Sequence, residues 1–252
     1  MKPVIFAGHG SPMNAIEDNQ YRQGFIEMGK RIEKPKAIVV FSAHWMTKGL
    51  KIRTAATNRQ INDMYGFPPE LYKVKYEPAG YPELAKRIKN SLLFDMIKED
   101  NSWGIDHGVW SVLCNMYPKA DVPVVIISTP VNYTPEQLFE VGKRLRSLSD
   151  EDILILGSGN VVHNLRILDW QSNDGYDWAI NFDNYIRDCI VHNRYEDLIQ
   201  SVNTPDFTKA APSVEHFYPV IMTAGAGWGR KVGVWNEGCL QGSLSMTSYI
   251  FE

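Results

Sequence analysis

Short apolar runs rich in β-branched residues alternate along the chain with longer segments whose apolar residues recur at helical spacing. The short runs predict buried strands at 4–7, 38–42, 122–128 and 153–156, and a further edge or antiparallel strand within 242–250. The helical spacing predicts helices near 21–31 and over 82–94, 135–148 and 178–192. Such alternation is typical of βα units, so the sequence predicts an α/β fold around a mainly parallel sheet.

Composition narrows the function classes. No repeat, low-complexity segment or linker interrupts residues 1–252, so a single domain is expected. The net charge of −3 is spread over mixed signs, which disfavours a nucleic-acid partner and favours a small molecule.

No stretch approaches the roughly 18 apolar residues of a membrane helix, so a cytoplasmic protein with no membrane partner is expected. Oligomeric state is left open. The three cysteines are odd in number and widely spaced, which predicts packed, reduced thiols.

The placement of the six histidines carries the chemical information. His9 follows the first predicted strand, His44 follows the second, and His163 comes a few residues after the fourth. In α/β sheets, ligands bind outside the carboxyl ends of the strands, so these three side chains are expected to converge. Glycines beside His9 and ahead of His163 allow the backbone to turn sharply there.

The other three histidines give weaker signals. His216 lies in APSVEHFYP, where Ser213 is expected to be the N-cap of a helix and to place His216 in its first turn. His107 in WGIDHGVW is read either as a functional residue or as a loop histidine oriented by Asp106. His192 falls toward a helix C-terminus, where a structural role is expected.

Several histidines with carboxylates nearby suit zinc or iron better than magnesium or calcium. From the residues alone, a zinc-dependent hydrolase explains this set as well as an oxygenase does, although a metallohydrolase signature such as HExxH is absent from the sequence. A non-catalytic protein that keeps a metal-binding pocket on the same fold is a further alternative.

Six segments in order add a family resemblance: GHGSPMNAIEDN, SAHW, GFPPELY, WGIDHGVW, GSGNVVHNLR and PSVEHFYP. Together they resemble the class III extradiol ring-cleavage dioxygenases, and most closely the branch similar to DOPA 4,5-dioxygenase. The segments run from residue 8 to residue 219, which is most of the chain. The resemblance implies an α/β sandwich around a twisted, largely parallel sheet, with helices on both faces.

The resemblance also implies roles for the histidines. His9, His44 and His216 match metal ligands, and His163 matches either an additional ligand or the acid/base of the reaction. His107 matches a residue that lines the substrate side of the pocket. In the protocatechuate-type branch a glutamate completes the ligand set, and Glu215 is the alternative to His216 here. Adjacent helical residues point about 100° apart, so only one of the two is expected to bind, and His216 is preferred.

The implied activity is extradiol cleavage of a catechol, such as a DOPA-like substrate, by dioxygen. The implied cofactor is one divalent ion, either Fe(II) for activity or Zn(II) as the ion found bound. Ser11 and Asn160 are candidates to hydrogen-bond the substrate or to orient a ligand imidazole, although ordinary turn chemistry explains them equally well. Tyr65 is a candidate to stack on the aromatic ring.

Overall fold

The predicted strands pair side by side in one sheet. The computed structural model describes residues 1–93 and 95–252. Within these residues, eight strands form one sheet in the order β4, β3, β5, β2, β6, β1, β10, β7, and β8 pairs with β9. In chain order the strands are β1 (Val4–Gly8), β2 (Ala37–Thr47), β3 (Leu50–Ile52), β4 (Ile97–Glu99), β5 (Val124–Pro130), β6 (Ile153–Gly159), β7 (Val232–Trp235), β8 (Cys239–Leu240), β9 (Leu244–Ser245) and β10 (Ser248–Phe251).

The centre of this sheet is parallel and its flank is antiparallel. β5, β2, β6 and β1 run parallel to one another, and β3 and β4 form a second parallel pair that meets β5 in the antiparallel direction. β10 runs antiparallel to both β1 and β7. The prediction of an antiparallel C-terminal strand is therefore confirmed, whereas the alternative of an edge strand is wrong because β7 covers the outer side of β10.

Helices cover both faces of the sheet. They are α1 (Gln20–Arg31), α2 (Pro82–Arg87), α3 (His107–Met116), α4 (Pro135–Leu145), α5 (Asp177–Val191), α6 (Tyr195–Gln200), α7 (Pro205–Ala210) and α8 (Tyr218–Ala226). Successive strand residues point to opposite faces, so Ile5 packs in the core cluster that includes α1 and α3, whereas Phe6 packs in the cluster that includes α4, α5 and α8. The α/β architecture with a mainly parallel sheet is confirmed.

Element ends differ from the predictions where the pattern is weak. Beyond α2, a π-helical turn spans Ile88–Leu92, and position 94, where the predicted helix ends, lies outside the described residues. After α4 a 3-10 helix spans Arg146–Glu151. The strands β3 and β4 were not predicted because three residues each are too few to show a period.

The strand that carries His44 is longer than predicted and contains a bulge. Ser42 and Met46 pair with the adjacent residues Ser128 and Thr129 of β5, so three extra residues, 43–45, lie between them. His44 is therefore inside β2, and the expectation that it follows the strand is wrong. Bulges re-aim side chains next to functional sites, and this one turns His44 out of the regular ladder.

A buried carboxylate on α5 holds the chain between β9 and β10. Asp183 accepts hydrogen bonds from Ser245 Oγ at 2.5 Å and Thr247 Oγ1 at 2.6 Å. The same segment packs against β1, where a Cβ atom on Gly8 would lie 2.7 Å from the backbone carbonyl carbon of Met246. Gly8 directly precedes His9, so α5 indirectly positions the first candidate histidine.

No helix among the described residues is long and apolar enough to cross a bilayer. The three cysteines, Cys114, Cys189 and Cys239, are free thiols, and the last two are buried.

Asp183 gives a test of stability against pH. Burial raises the pKa of Asp183 from 3.8 to about 6, because it outweighs the two hydroxyl hydrogen bonds. The folded protein takes up this proton near pH 6, while the unfolded chain takes it up near pH 4. We therefore expect the free energy of unfolding of the wild type, relative to Asp183→Asn, to rise as the pH falls from about 7.5 to about 5.

Urea denaturation of both proteins across this range measures the difference, and groups common to both cancel. A difference that does not change with pH would contradict the raised pKa of Asp183.

Candidate metal centre

Five of the six histidines meet at the carboxyl edge of the central parallel strands. The ring centroids of His9, His44 and His216 form a triangle with sides of 4.9, 5.0 and 5.3 Å. His107 lies beside this triangle, 4.1 Å from His44, and His163 lies on its other side, 3.5 Å from His216. The predicted convergence is therefore observed.

The sixth histidine is elsewhere. His192 ends α5, where its Nδ1 atom lies 2.8 Å from Asp188 Oδ1, as expected of a structural residue.

His9 is oriented by a serine that sequence analysis did not single out. Ser158 Oγ donates its proton to the carbonyl of Gly108 at 2.6 Å, so the same oxygen accepts from His9 Nδ1 at 2.9 Å. His9 therefore carries its proton on Nδ1, which leaves the lone pair of Nε2 free for a metal ion. Ser158 is the second residue of the GSGNVVHN motif at the end of β6, so its place beside a motif histidine is a signal that was present in the sequence.

His216 is oriented by the neighbouring glutamate. Glu215 Oε1 lies 3.1 Å from His216 Nδ1 and also accepts from Ser213 Oγ at 2.8 Å. α8 begins only at Tyr218, so the expectations that Ser213 caps a helix and that His216 lies in its first turn are wrong. His216 lies in the preceding turn, where its carbonyl accepts from the backbone N–H of Asn160 at 2.8 Å.

His44 lies between two carboxylates. Its Nδ1 atom is 3.1 Å from Asp63 Oδ2 and 3.3 Å from Asp106 Oδ1. Burial opposes protonation of His44, but the two aspartates outweigh it and raise its pKa to about 9. The carboxylates therefore favour a positive charge on or beside this imidazole, whether that charge is a proton or a metal ion.

The nitrogens of His44 and His216 are spaced as a shared cation requires. Their Nε2 atoms are 3.0 Å apart. With Nδ1 of each ring against a carboxylate, the two Nε2 atoms are compatible at this distance when His44 donates a proton to His216 or when a metal ion lies between them. Imidazole nitrogens bind zinc at about 2.0–2.1 Å, so two that share one ion lie at most about 4.2 Å apart. The residues therefore fit a divalent metal ion.

The remaining charges agree with neutral ligands. Burial lowers the pKa of His9, His163 and His216 well below the ordinary value of 6.5, and the neighbouring imidazoles add to this effect. Neutral imidazole is the form that binds a metal ion. Burial also opposes ionisation of Asp63, but His107 and His44 outweigh it and hold the pKa of Asp63 well below its usual range.

His163 is stacked on His216. The two rings are nearly parallel, with an angle of 7° between their planes and 3.5 Å between their centroids. An imidazole binds a metal ion in the plane of its ring, so two parallel rings at this separation do not aim at one point. The stacked arrangement therefore separates the metal-binding directions of His163 and His216.

His107 is oriented by Asp63, and the expectation that Asp106 orients it is wrong. His107 is the first residue of α3, and both its Nδ1 atom and its backbone N–H contact Asp63 Oδ1, at 3.0 and 2.9 Å. Asp106 instead accepts from Ser42 Oγ at 2.5 Å and Trp103 Nε1 at 3.0 Å. Asp63 was missed because it lies in a segment without periodic pattern, and no neighbouring histidine marks it.

Nitrogens of His9, His44 and His107 lie within 4.8 Å of one another, and so do ring nitrogens of His163 and His216 with a carboxylate oxygen of Glu215, so position alone lets either group hold an ion. Nε2 of His216 meets Nε2 of His44 directly, while Glu215 lies against its Nδ1 atom.

The first turn of α3 forms one wall of the centre. A Cβ atom on Gly108 would lie 3.0 Å from Cε1 and Nδ1 of His9 and 3.0 Å from Cε1 of His44. Only glycine therefore lets the helix backbone approach both rings at their observed positions.

The chain matches a protein-family model over residues 3–251, and the family is described as the catalytic LigB subunit of aromatic ring-opening dioxygenase. The chain belongs to this family. It is 38% identical over 252 residues to a 4,5-DOPA dioxygenase extradiol of Escherichia coli strain K12, covering 98% of this chain and 93% of the relative. It is 35% identical over 259 residues to a protein of the same name from Beta vulgaris, covering 100% of this chain and 97% of the relative.

A solved structure agrees with this assignment. The crystal structure of an uncharacterized protein from Escherichia coli K12 aligns with this chain at a TM-score of 0.87 and 35% sequence identity. The alignment covers 100% of this chain and 100% of that protein. The family resemblance expected from the motifs is confirmed. This LigB-family chain is thus an extradiol dioxygenase by family, with a histidine cluster able to hold a metal ion.

The three predicted substrate-binding residues lie in different environments. Ser11 Oγ accepts from the backbone N–H of Met13 at 3.2 Å and caps a 3-10 helix, so the turn interpretation applies. Asn160 is fully buried, and its Nδ2 donates to Ser245 O at 2.7 Å. Tyr65 is 92% exposed, on the same loop as Asp63.

Gly108→Ala tests the fit of α3 against the ligand rings. We expect the variant to fold, because alanine favours a helix, but to bind Zn²⁺ about 10-fold more weakly, since the new Cβ displaces His9 or His44. Competition with a chromophoric chelator measures the affinity. Gly233→Ala is the matched control, because its Cβ would meet no atom closer than 3.5 Å. An unchanged Zn²⁺ affinity in Gly108→Ala would contradict this expectation, because it would show that a Cβ atom at position 108 does not displace the rings.

Proposed function

We propose that residues 1–252 act as one catalytic domain that opens the ring of a catechol with dioxygen. The observation that carries the proposal is the histidine triangle, in which Nδ1 of each imidazole lies within 3.1 Å of an oxygen and Nε2 of His44 meets Nε2 of His216. Relatives named 4,5-DOPA dioxygenase extradiol at 31–38% identity support a DOPA-like catechol as the substrate class.

His9, His44 and His216 are the proposed ligands of one divalent ion. Fe(II) is the proposed working ion, and Zn(II) is expected in protein purified without added iron, since zinc outcompetes ferrous iron for such ligands. When bound, the ion supplies Lewis-acid polarisation of the catechol oxygens and electron transfer to dioxygen. Glu215 is proposed to orient His216 and not to bind the ion, because its Oε1 atom is already shared by Ser213 and His216.

His163 is the proposed acid/base. Its burial keeps the ring neutral, so a ring nitrogen can take a hydroxyl proton from the catechol and return it later in the reaction. Its stacking on His216 holds it next to the ligand set without sharing the same plane. His107 is proposed to face the substrate, with Asp63 fixing its proton on Nδ1 and leaving Nε2 free to accept a hydrogen bond.

The weaker candidates keep limited roles. Ser11 uses its oxygen to cap a turn, but its hydroxyl proton is still available to a substrate oxygen. Asn160 has a buried Oδ1 atom with no hydrogen-bond partner in the part of the chain that the structure describes, so it retains an acceptor. Tyr65 is proposed to cover the ring from its exposed loop. Free thiols support a cytoplasmic location.

The test is anaerobic loading of the purified protein with Fe(II), followed by oxygen uptake and visible absorbance with DOPA and a panel of catechols. We expect stoichiometric oxygen consumption and a yellow ring-opened semialdehyde. His44→Ala should lose both metal and activity. His163→Ala should keep the metal and lose about 10²- to 10⁴-fold in kcat, as expected for removal of an acid/base. His192→Ala is the control and should match the wild type.

The other outcomes point to the two alternatives. Iron-loaded protein that consumes no oxygen would contradict the proposal. In that case, hydrolysis of an ester or amide by the zinc form would favour a hydrolase, and tight binding of catechols without turnover would favour a binding protein.

A further inference from the structure

One carboxylate contacts two of the five clustered imidazoles. Asp63 Oδ1 accepts from the backbone N–H of His107 at 2.9 Å and lies 3.0 Å from His107 Nδ1. Asp63 Oδ2 lies 3.1 Å from His44 Nδ1. The two oxygens of a single side chain therefore face three nitrogens, which belong to a proposed metal ligand and to the proposed substrate-side histidine.

We infer that Asp63 is a positioning residue that orients His44 and His107 as one unit for ring cleavage. The inference rests on the proposed function for the roles of the two histidines. A carboxylate is only an acceptor, so it holds a proton on Nδ1 of His107 through a hydrogen bond and favours a proton on Nδ1 of His44 through the 3.1 Å contact. Nε2 of His44 is then free for the metal ion, and Nε2 of His107 is free for the substrate.

The loop that carries Asp63 is anchored well enough for this role. The backbone N–H of Ile61 donates to Ile105 O at 2.7 Å, and Ile61 O accepts from Trp110 Nε1 of α3 at 3.0 Å. Asp63 is thereby tied to the helix that begins at His107. Its side chain is 16% exposed, so solvent competes little for its oxygens.

A buried arginine, Arg53, links two chain segments that lead into the site. Arg53 donates to the carbonyls of Asn101, Trp103 and Thr57 at 2.6–2.7 Å. These bonds join the segment before Asp63 to the segment before Asp106, so one guanidinium links the two chain segments that lead to these carboxylates.

Asp106 does not duplicate Asp63. Asp106 is fully buried, and among the histidines of the described chain it contacts only His44. Its Oδ2 atom accepts hydrogen bonds from Ser42 and Trp103. Loss of Asp63 would leave His44 with one carboxylate and would leave His107 Nδ1 without its acceptor.

Asparagine cannot replace Asp63. An amide offers one acceptor and one NH₂ donor in place of two acceptors. If its oxygen stays against His107, the NH₂ group faces His44 Nδ1–H; if it is turned, the NH₂ group faces both N–H groups of His107. Either orientation sets donor against donor, so one ring must move or transfer its proton to Nε2.

The experiment compares Asp63→Asn, Asp63→Glu and the control Asp100→Asn, whose carboxylate accepts from the backbone N–H of Ser102. Three quantities are measured: Zn²⁺ affinity by chelator competition, the protonation of His107 nitrogens by ¹⁵N NMR of histidine-labelled zinc protein, and kcat and KM of iron-loaded protein. We expect Asp63→Asn to weaken Zn²⁺ binding about 10- to 100-fold and to alter the His107 signals, while Asp100→Asn matches the wild type.

The conservative variant separates positioning from folding. Asp63→Glu keeps two acceptors but moves them, so we expect Zn²⁺ affinity within about threefold of the wild type, altered His107 signals and kcat lowered at least about 10-fold. If Asp63→Asn does not fold, Asp63→Glu decides alone. The inference would be overturned if the folded variants matched the wild type in zinc affinity, in His107 signals and in kcat. The zinc and NMR measurements need no turnover, so an inactive wild type would contradict the proposed function and leave this test intact.

Discussion

The centre depends on keeping the Nδ1 atoms of three crowded imidazoles against oxygen. Ring centroids about 5 Å apart on a buried sheet edge would repel one another if all were protonated, and burial accordingly keeps His9 and His216 neutral. Ser158 accepts from His9, Glu215 lies against Nδ1 of His216, and Asp63 and Asp106 lie 3.1 and 3.3 Å from Nδ1 of His44. With Nδ1 of each ring against an oxygen, the Nε2 atoms of His44 and His216 face each other at 3.0 Å, where a proton on His44 or a metal ion satisfies both.

The scaffold supplies this arrangement through close backbone contacts. The bulge in β2 turns His44 out of the ladder, and Gly108 lets the first turn of α3 reach both His9 and His44. Gly159 has a related role, since a Cβ there would lie 2.2 Å from the carbonyl oxygen of His216. Each feature depends on segments that are far apart in the sequence, so a small shift in one element moves a histidine carried by another.

Part of the site could be predicted because short sequence patterns mark the histidines that form it. Strand ends followed by histidines indicated the convergence of His9, His44 and His163, and the ordered motifs added His216 and His107. The oxygen partners were harder to find. Asp63 has no periodic context, and Asp106 was assigned to the adjacent His107 although it contacts His44, because nearness in sequence says nothing about which way a side chain at a helix start points.

The sequence by itself determined the alternation of strands and helices, the parallel centre of the sheet, the family and the identity of the clustered histidines. These follow from periodicity and from short motifs, which need only local spacing. The tertiary structure alone decided the bulge at His44, the turn that holds His216, the stacking of His163 and the sharing of Asp63 between two rings. Those features arise where separate segments meet within hydrogen-bond distance, and such meetings depend on the packing of the whole chain.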